Sequence, residues 1–308
     1  MVAPATALTL ARGTRGRVAA YVALTKPRIV ELLLVTTLPT MIVAQRGLPS
    51  IGLIVATLAG GSLAAGGANA INMFVDRDID QLMHRTRNRP LVTGAVTPSA
   101  ALVFACLLEV AAFGELWRFV NLLSAVLAVS ATAFYVFVYT LWLKRRSAQN
   151  IVIGGAAGAV PVLVGWSAVT GTLNWAPVIL FSIIFLWTPP HFWALAVRYR
   201  DDYEAASVPM LPVVAPARRT ARDMFWYTAL LIGASIAFAP IAHMGVFYLT
   251  VAAAAGALYA ALVIRLWVHT GNERDLGAEA MRLFGYSITY LSVLFASMAI
   301  DVFVRRLH

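Results

Sequence analysis

Residues 51–80 read IGLIVATLAGGSLAAGGANAINMFVDRDID. From Ile51 to Val75 the chain carries no charged side chain, and an apolar run of about 20 residues is long enough to cross the hydrocarbon of a bilayer. Similar runs lie near 29–47, 98–117, 119–142, 150–170, 176–197, 224–242, 245–267 and 283–304, which makes nine. The 308 residues are 60% hydrophobic and 12% charged, with mean hydropathy +0.78, against roughly 25% charged in a soluble domain. In lipid every backbone polar group must be satisfied within its own helix. The sequence therefore predicts an all-α membrane protein of about nine transmembrane helices. A soluble helical protein would not need nine such runs.

The formal net charge of +10 would suggest nucleic acid in a soluble protein, but its distribution is topological, and no nucleic-acid partner is expected. With the N-terminus cytoplasmic, all 24 Lys and Arg except Arg46, Arg118, Arg305 and Arg306 fall on the cytoplasmic side, as the positive-inside rule requires. The expected localisation is a multi-pass protein of the bacterial inner membrane. The sequence divides into a cytoplasmic arm (1–28), one transmembrane domain (29–304) and a short tail (305–308). The arm reads as flexible; a transit-like segment is the alternative. The single Cys106 lies inside the third span and allows no internal disulfide.

The two long cytoplasmic loops, 76–97 and 198–223, hold half of the fourteen acidic residues. Asn72, Asp76 and Asp80 recur at every fourth position, which sets them on one stripe of a helix continuing from the second span. Carboxylates at the negative end of a helix dipole are unfavourable without a cation among them. Oxygen-only ligands suit a hard ion such as Mg²⁺, which keeps positions for water or phosphate. Arg85 and Arg89 follow closely, and guanidiniums are suited to phosphate oxygens. In the second loop, Asp201 and Asp202 read either as a further metal or phosphate contact or as charge balance for Arg198 and Arg200. Lys144 and Arg145 on the same membrane face are explained equally by diphosphate contact and by topology. Trp187, Trp193 and Tyr139 gather at this level around His191, and an ionisable residue within a span is a functional candidate.

The stretch NMFVDRDIDQLMHRTRNRPLVTG (72–94) resembles the first signature of the UbiA superfamily of intramembrane prenyltransferases. LTKPRIVELLLVTTLPTM (24–41), TPPHFWALAVRYRDDYEAASVPMLPVV (188–214) and LFGYSITYLSVLF (283–295) narrow the resemblance to the branch that farnesylates protohaem IX. The resemblance covers roughly 20–304 and implies a bundle around a central cavity, capped by cytoplasmic loops and open sideways to lipid. It implies Mg²⁺ as cofactor, held by Asn72, Asp76, Asp80, Asp201 and Asp202, with Asp76, Asp80 and Asp202 catalytic. Arg77, Arg85, Arg89, Lys144, Arg145 and Arg198 would contact the diphosphate. His191, Trp187, Trp193 and Tyr139 would meet the haem, with His191 orienting it, ligating its iron or accepting a proton. The second motif departs from the family's Asp-x3-Asp pattern, since Arg198 stands where the first carboxylate is expected.

The implied substrates are farnesyl diphosphate and protohaem IX, giving haem O. A homo-oligomer and a haem A synthase or oxidase-assembly partner stay open. Two other readings are an aromatic or chlorin acceptor and, in another class, a transporter. Transporters place polar residues at midplane, whereas Asp and Arg here cluster at one interface.

Overall fold

The computed structural model describes residues 14–306. Every regular element among them is helical. In chain order these are α1 (Thr14–Thr25), α2 (Pro27–Gln45), α3 (Ile51–Val75), α4 (Arg77–Leu82) and α5 (Pro98–Phe119). Then come α6 (Leu122–Ala133), a π-helical continuation Phe134–Leu143, α7 (Asn150–Thr170) and α8 (Trp175–Arg198). Two short helices, α9 (Arg200–Ala205) and α10 (Leu211–Val214), precede α11 (Ala217–Ile241), α12 (Val246–Val268) and α13 (Glu273–Val304). Eight helices among the described residues are long and apolar enough to cross a membrane, and the nineteen-residue α2 packs among them. The protein is an all-α membrane protein, as its sequence predicts.

Helix ends follow local chemistry. Ser50, Thr97, Asn121 and Asn174 cap α3, α5, α6 and α8, each accepting a backbone N–H of the first turn, which satisfies donors that the helix leaves orphaned. The Asn121 cap parts the third and fourth spans at Val120–Asn121, slightly beyond the gap between the apolar runs 98–117 and 119–142, and Asn121 Nδ2 also donates to the Ser167 carbonyl at 2.7 Å. Gly171 closes α7 at φ 68, a conformation that glycine adopts without steric cost.

Two boundaries move. α11 begins seven residues before the apolar run at 224, and α13 begins ten before the run at 283, because each helix has a polar first turn beyond the lipid. Residues 14–25, within the arm that reads as flexible, form a packed helix. Helix α1 buries Ala20 and Leu24 against Ala70, Met73, Ala101 and Ala105, and Tyr21 meets Phe104 edge to face at 5.0 Å.

Lipid gives no hydrophobic drive between helices, so close packing relies on small residues. α3 offers Gly60 and Gly67 to α5, where Glu115 and Leu116 at the first and Glu109 at the second fill the space a Cβ would take. Large apolar side chains such as Leu107, Val110, Phe137, Trp226 and Leu230 face outward. Inside, α2, α3, α6, α7, α8 and α13 surround a cavity of about 770 Å³. The loops after α3 and α8 roof it, tied together by Asp202, whose carboxylate accepts the backbone N–H groups of His84 and Arg85 at 3.3 Å.

Candidate active site

The acidic stripe continues through the end of α3. Asp76 N–H bonds the Asn72 carbonyl, and Asp80 N–H bonds that of Asp76, both at 2.9 Å. Asn72, Asp76 and Asp80 are all buried, with exposures of 3%, 0% and 2%. Such burial of acid demands compensation, and the chain supplies much of it. Lys144 Nζ forms an ion pair with Asp76 Oδ2, which also accepts from Asn72 Nδ2 at 2.7 Å. Arg89 Nη1 serves both oxygens of Asp80, at 2.8 and 2.6 Å.

Lys26 completes the group. It turns the chain between α1 and α2 in the left-handed region at φ 51, a strained conformation for a residue with a Cβ. Its Nζ donates to Asn72 Oδ1 at 2.9 Å. Burial, then the nearby Arg89 and Lys144, bring its pKa down to about 7. Lys26 was not among the expected site residues, although it is one of only two lysines in the chain and lies within the 24–41 stretch that carried the resemblance.

The oxygen donors also fit a hard cation. Asp76 Oδ1 is buried without a hydrogen-bond partner, with Arg145 Nη2 at 3.9 Å. An orphaned carboxylate oxygen in such a place asks for a positive partner. Among the described residues no three His, Cys, Asp or Glu side chains converge, so the candidate ligand set is Asn72, Asp76 and Asp80.

The remaining expected residues divide. Arg85, Arg89 and Lys144 line the cavity mouth. Arg77 and Arg145 do not: they border a separate surface depression with Asp78. Arg77 donates to the Phe74 carbonyl at 2.7 Å, and Arg145 grips Asp78 through two 2.7 Å bonds, which pull the Asp78 pKa down to about 2. Arg198 is exposed beside the Tyr199 ring, and Asp201 is exposed. Asp202 serves the roof described above. In its place α9 presents Tyr203 to the cavity, beside Arg85 and Thr86.

Below the mouth the wall becomes aromatic. Tyr135 and Tyr139 stack at 5.3 Å on the π-helical segment, where Thr140 donates to the Tyr135 carbonyl and Lys144 N–H to that of Tyr139, each at 2.8 Å. Opposite, His191 lies between Trp187 and Phe284. Trp187, Tyr139 and His191 all line the cavity. Trp193 does not: it is buried behind α8, edge-on to Tyr227.

The UbiA prenyltransferase family profile matches residues 33–288. A protohaem IX farnesyltransferase of Frankia alni is 54% identical over 94% of this chain and 99% of its own. Another, from Renibacterium salmoninarum, is 51% identical over 95% and 92% respectively. Among solved structures, a UbiA homologue from Archaeoglobus fulgidus bound to DMAPP and Mg²⁺ superposes with TM-score 0.62 at 17% identity, covering 89% of this chain and 99% of that one.

Proposed function

This chain belongs to the UbiA prenyltransferase family, and from that membership we propose that it transfers the farnesyl group of farnesyl diphosphate to a vinyl group of protohaem IX, giving haem O. The observation that carries the reading is one cavity lined by the oxygen donors Asn72 and Asp80, by the cations Lys26, Arg85, Arg89 and Lys144, and by an aromatic, histidine-bearing wall. The curated relatives named above act on protohaem IX, and the chain spans nearly their whole length.

Asn72, Asp76 and Asp80 would hold Mg²⁺, which supplies charge neutralisation to the departing diphosphate when bound. Lys26, Lys144, Arg85 and Arg89 are placed to bind the diphosphate oxygens. Lys144 and Arg89 exchange their carboxylate partners for phosphate once the stripe is otherwise neutralised. Fixed cations aimed where negative charge accumulates lower the barrier to breaking the C1–O bond. The vinyl carbon then forms the new C–C bond with farnesyl C1. Water adds to the adjacent carbon and loses a proton, giving the hydroxyethylfarnesyl side chain and diphosphate. Tyr135, Tyr139 and Trp187 offer π-faces to the developing cation, and the apolar wall keeps bulk water from quenching it.

The location that best suits this chemistry is the bacterial cytoplasmic membrane with the charged end and the N-terminus in the cytoplasm. Mass spectrometry of haem recovered after incubating the purified protein with farnesyl diphosphate and Mg²⁺ tests the reading. Haem O is expected. Transfer to an aromatic acid with haem left unchanged would sink it.

A further inference from the structure

The His191 imidazole is enclosed on three sides. Trp187 stacks on it at 4.1 Å and 19°, and Phe284 covers it at 4.6 Å and 26°. Its Nδ1 lies 2.6 Å from Ser287 Oγ, and Ser287 Oγ lies 2.6 Å from the Phe284 carbonyl oxygen. A hydroxyl has a single proton, and a carbonyl oxygen only accepts. Two oxygens at 2.6 Å need that proton between them, so Ser287 donates to Phe284 and accepts from His191. The imidazole proton is thereby placed on Nδ1, and Nε2 keeps its lone pair. Trp187 Nε1 donates to the Ser287 carbonyl at 2.8 Å, which ties the stacking ring and the hydroxyl to the same turn of α13. Phe192 meets the ring at a right angle at 5.1 Å; with Nδ1 engaged by Ser287, Nε2 is the ring nitrogen left to the cavity that His191 lines.

We propose that Ser287 is a positioning residue that fixes the His191 tautomer and leaves Nε2 as the axial ligand of the haem iron. The inference rests on protohaem IX being the acceptor. Neutral imidazole is a common metal ligand, and a hydrogen bond from its second nitrogen fixes the ring and raises its basicity. Ser287 lies 96 residues from His191 in sequence, within the 283–295 stretch.

The test is a titration of haem into the purified protein, read by Soret absorbance and by the Fe–N(His) stretch of the ferrous complex. The wild type is expected to give a Soret shift that His191→Ala removes. Ser287→Ala is expected to weaken haem binding about 10–100-fold and to lower the Fe–N(His) frequency. Ser287→Thr, which keeps the hydroxyl, restores both. An unchanged stretch and affinity in Ser287→Ala overturns the proposal and leaves haem as acceptor. A wild-type haem complex with no His191-dependent shift also overturns it. Absence of both haem binding and farnesylated haem overturns the proposal and the acceptor reading together.

Discussion

Arg89 neutralises Asp80 with one nitrogen: Nη1 reaches both carboxylate oxygens, at 2.8 and 2.6 Å. The guanidinium fork is not used in this pair, so a lysine ammonium can replace it. Arg89→Lys is expected to retain most thermal stability in detergent. Arg89→Ala leaves Asp80 buried without a partner, at a cost of about 3 kcal/mol, and turnover falls with it. Equal melting temperatures for the two variants would contradict this account.

Asp76 tests the metal assignment. Asp76→Asn keeps the volume and the contact with Asn72 but removes the charge and the orphaned oxygen. Turnover is expected to fall to background at every Mg²⁺ concentration, and stabilisation of the protein by Mg²⁺ with a prenyl diphosphate is expected to disappear. Near-normal activity with Mg²⁺ would place the metal elsewhere.

Lys26 should act in binding more than in chemistry. A hydrogen bond to a charged group contributes about 1.5–3 kcal/mol, so Lys26→Met is expected to raise KM for farnesyl diphosphate by about tenfold or more. A smaller change in kcat is expected, the pattern of an interaction made equally in ground and transition states. An unchanged KM would remove Lys26 from the diphosphate site.

The depth of the cavity sets what length of prenyl chain fits. Gly61 and Gly158 both line it, and a Cβ at either would meet nothing within 4 Å. Gly61 lies eleven residues before Asn72 on α3, about 16 Å along the helix. Gly61→Leu fills that depth, and the preference for farnesyl over geranyl diphosphate is expected to drop by more than about tenfold. An unaltered preference would show that the chain does not run along α3.

The spans were legible because apolar runs of bilayer length have few other uses, and most boundaries agree within three residues. The early starts of α11 and α13 were hidden by charge: Arg218, Arg219, Arg222 and Asp223 belong to a helix but look like a loop. The stripe Asn72–Asp76–Asp80 was legible from its spacing. That same spacing argues against Arg77, which stands one residue past Asp76 and so about 100° around the helix. Pairs distant in sequence, Lys26 with Asn72 and Ser287 with His191, have no local signature, and only the fold brings them together.

The π-helical run from Phe134 to Leu143 is long for a form that occurs mostly as single turns, and it works as a reading frame. Each of its turns holds an extra residue, so the direction in which Lys144 leaves the helix depends on how many residues precede it. Phe137 faces outward and is 66% exposed; deleting it moves every later residue back one place in the run, which turns it by roughly a quarter turn while the i→i+5 bonding is kept. Lys144 then leaves Asp76 although no site residue has changed. Loss of turnover on deletion, regained when one alanine is inserted elsewhere in the run, is the expected result. Full activity in the deletion would show that the count does not matter. The cation at the mouth is thus specified by arithmetic along the helix as well as by its own identity.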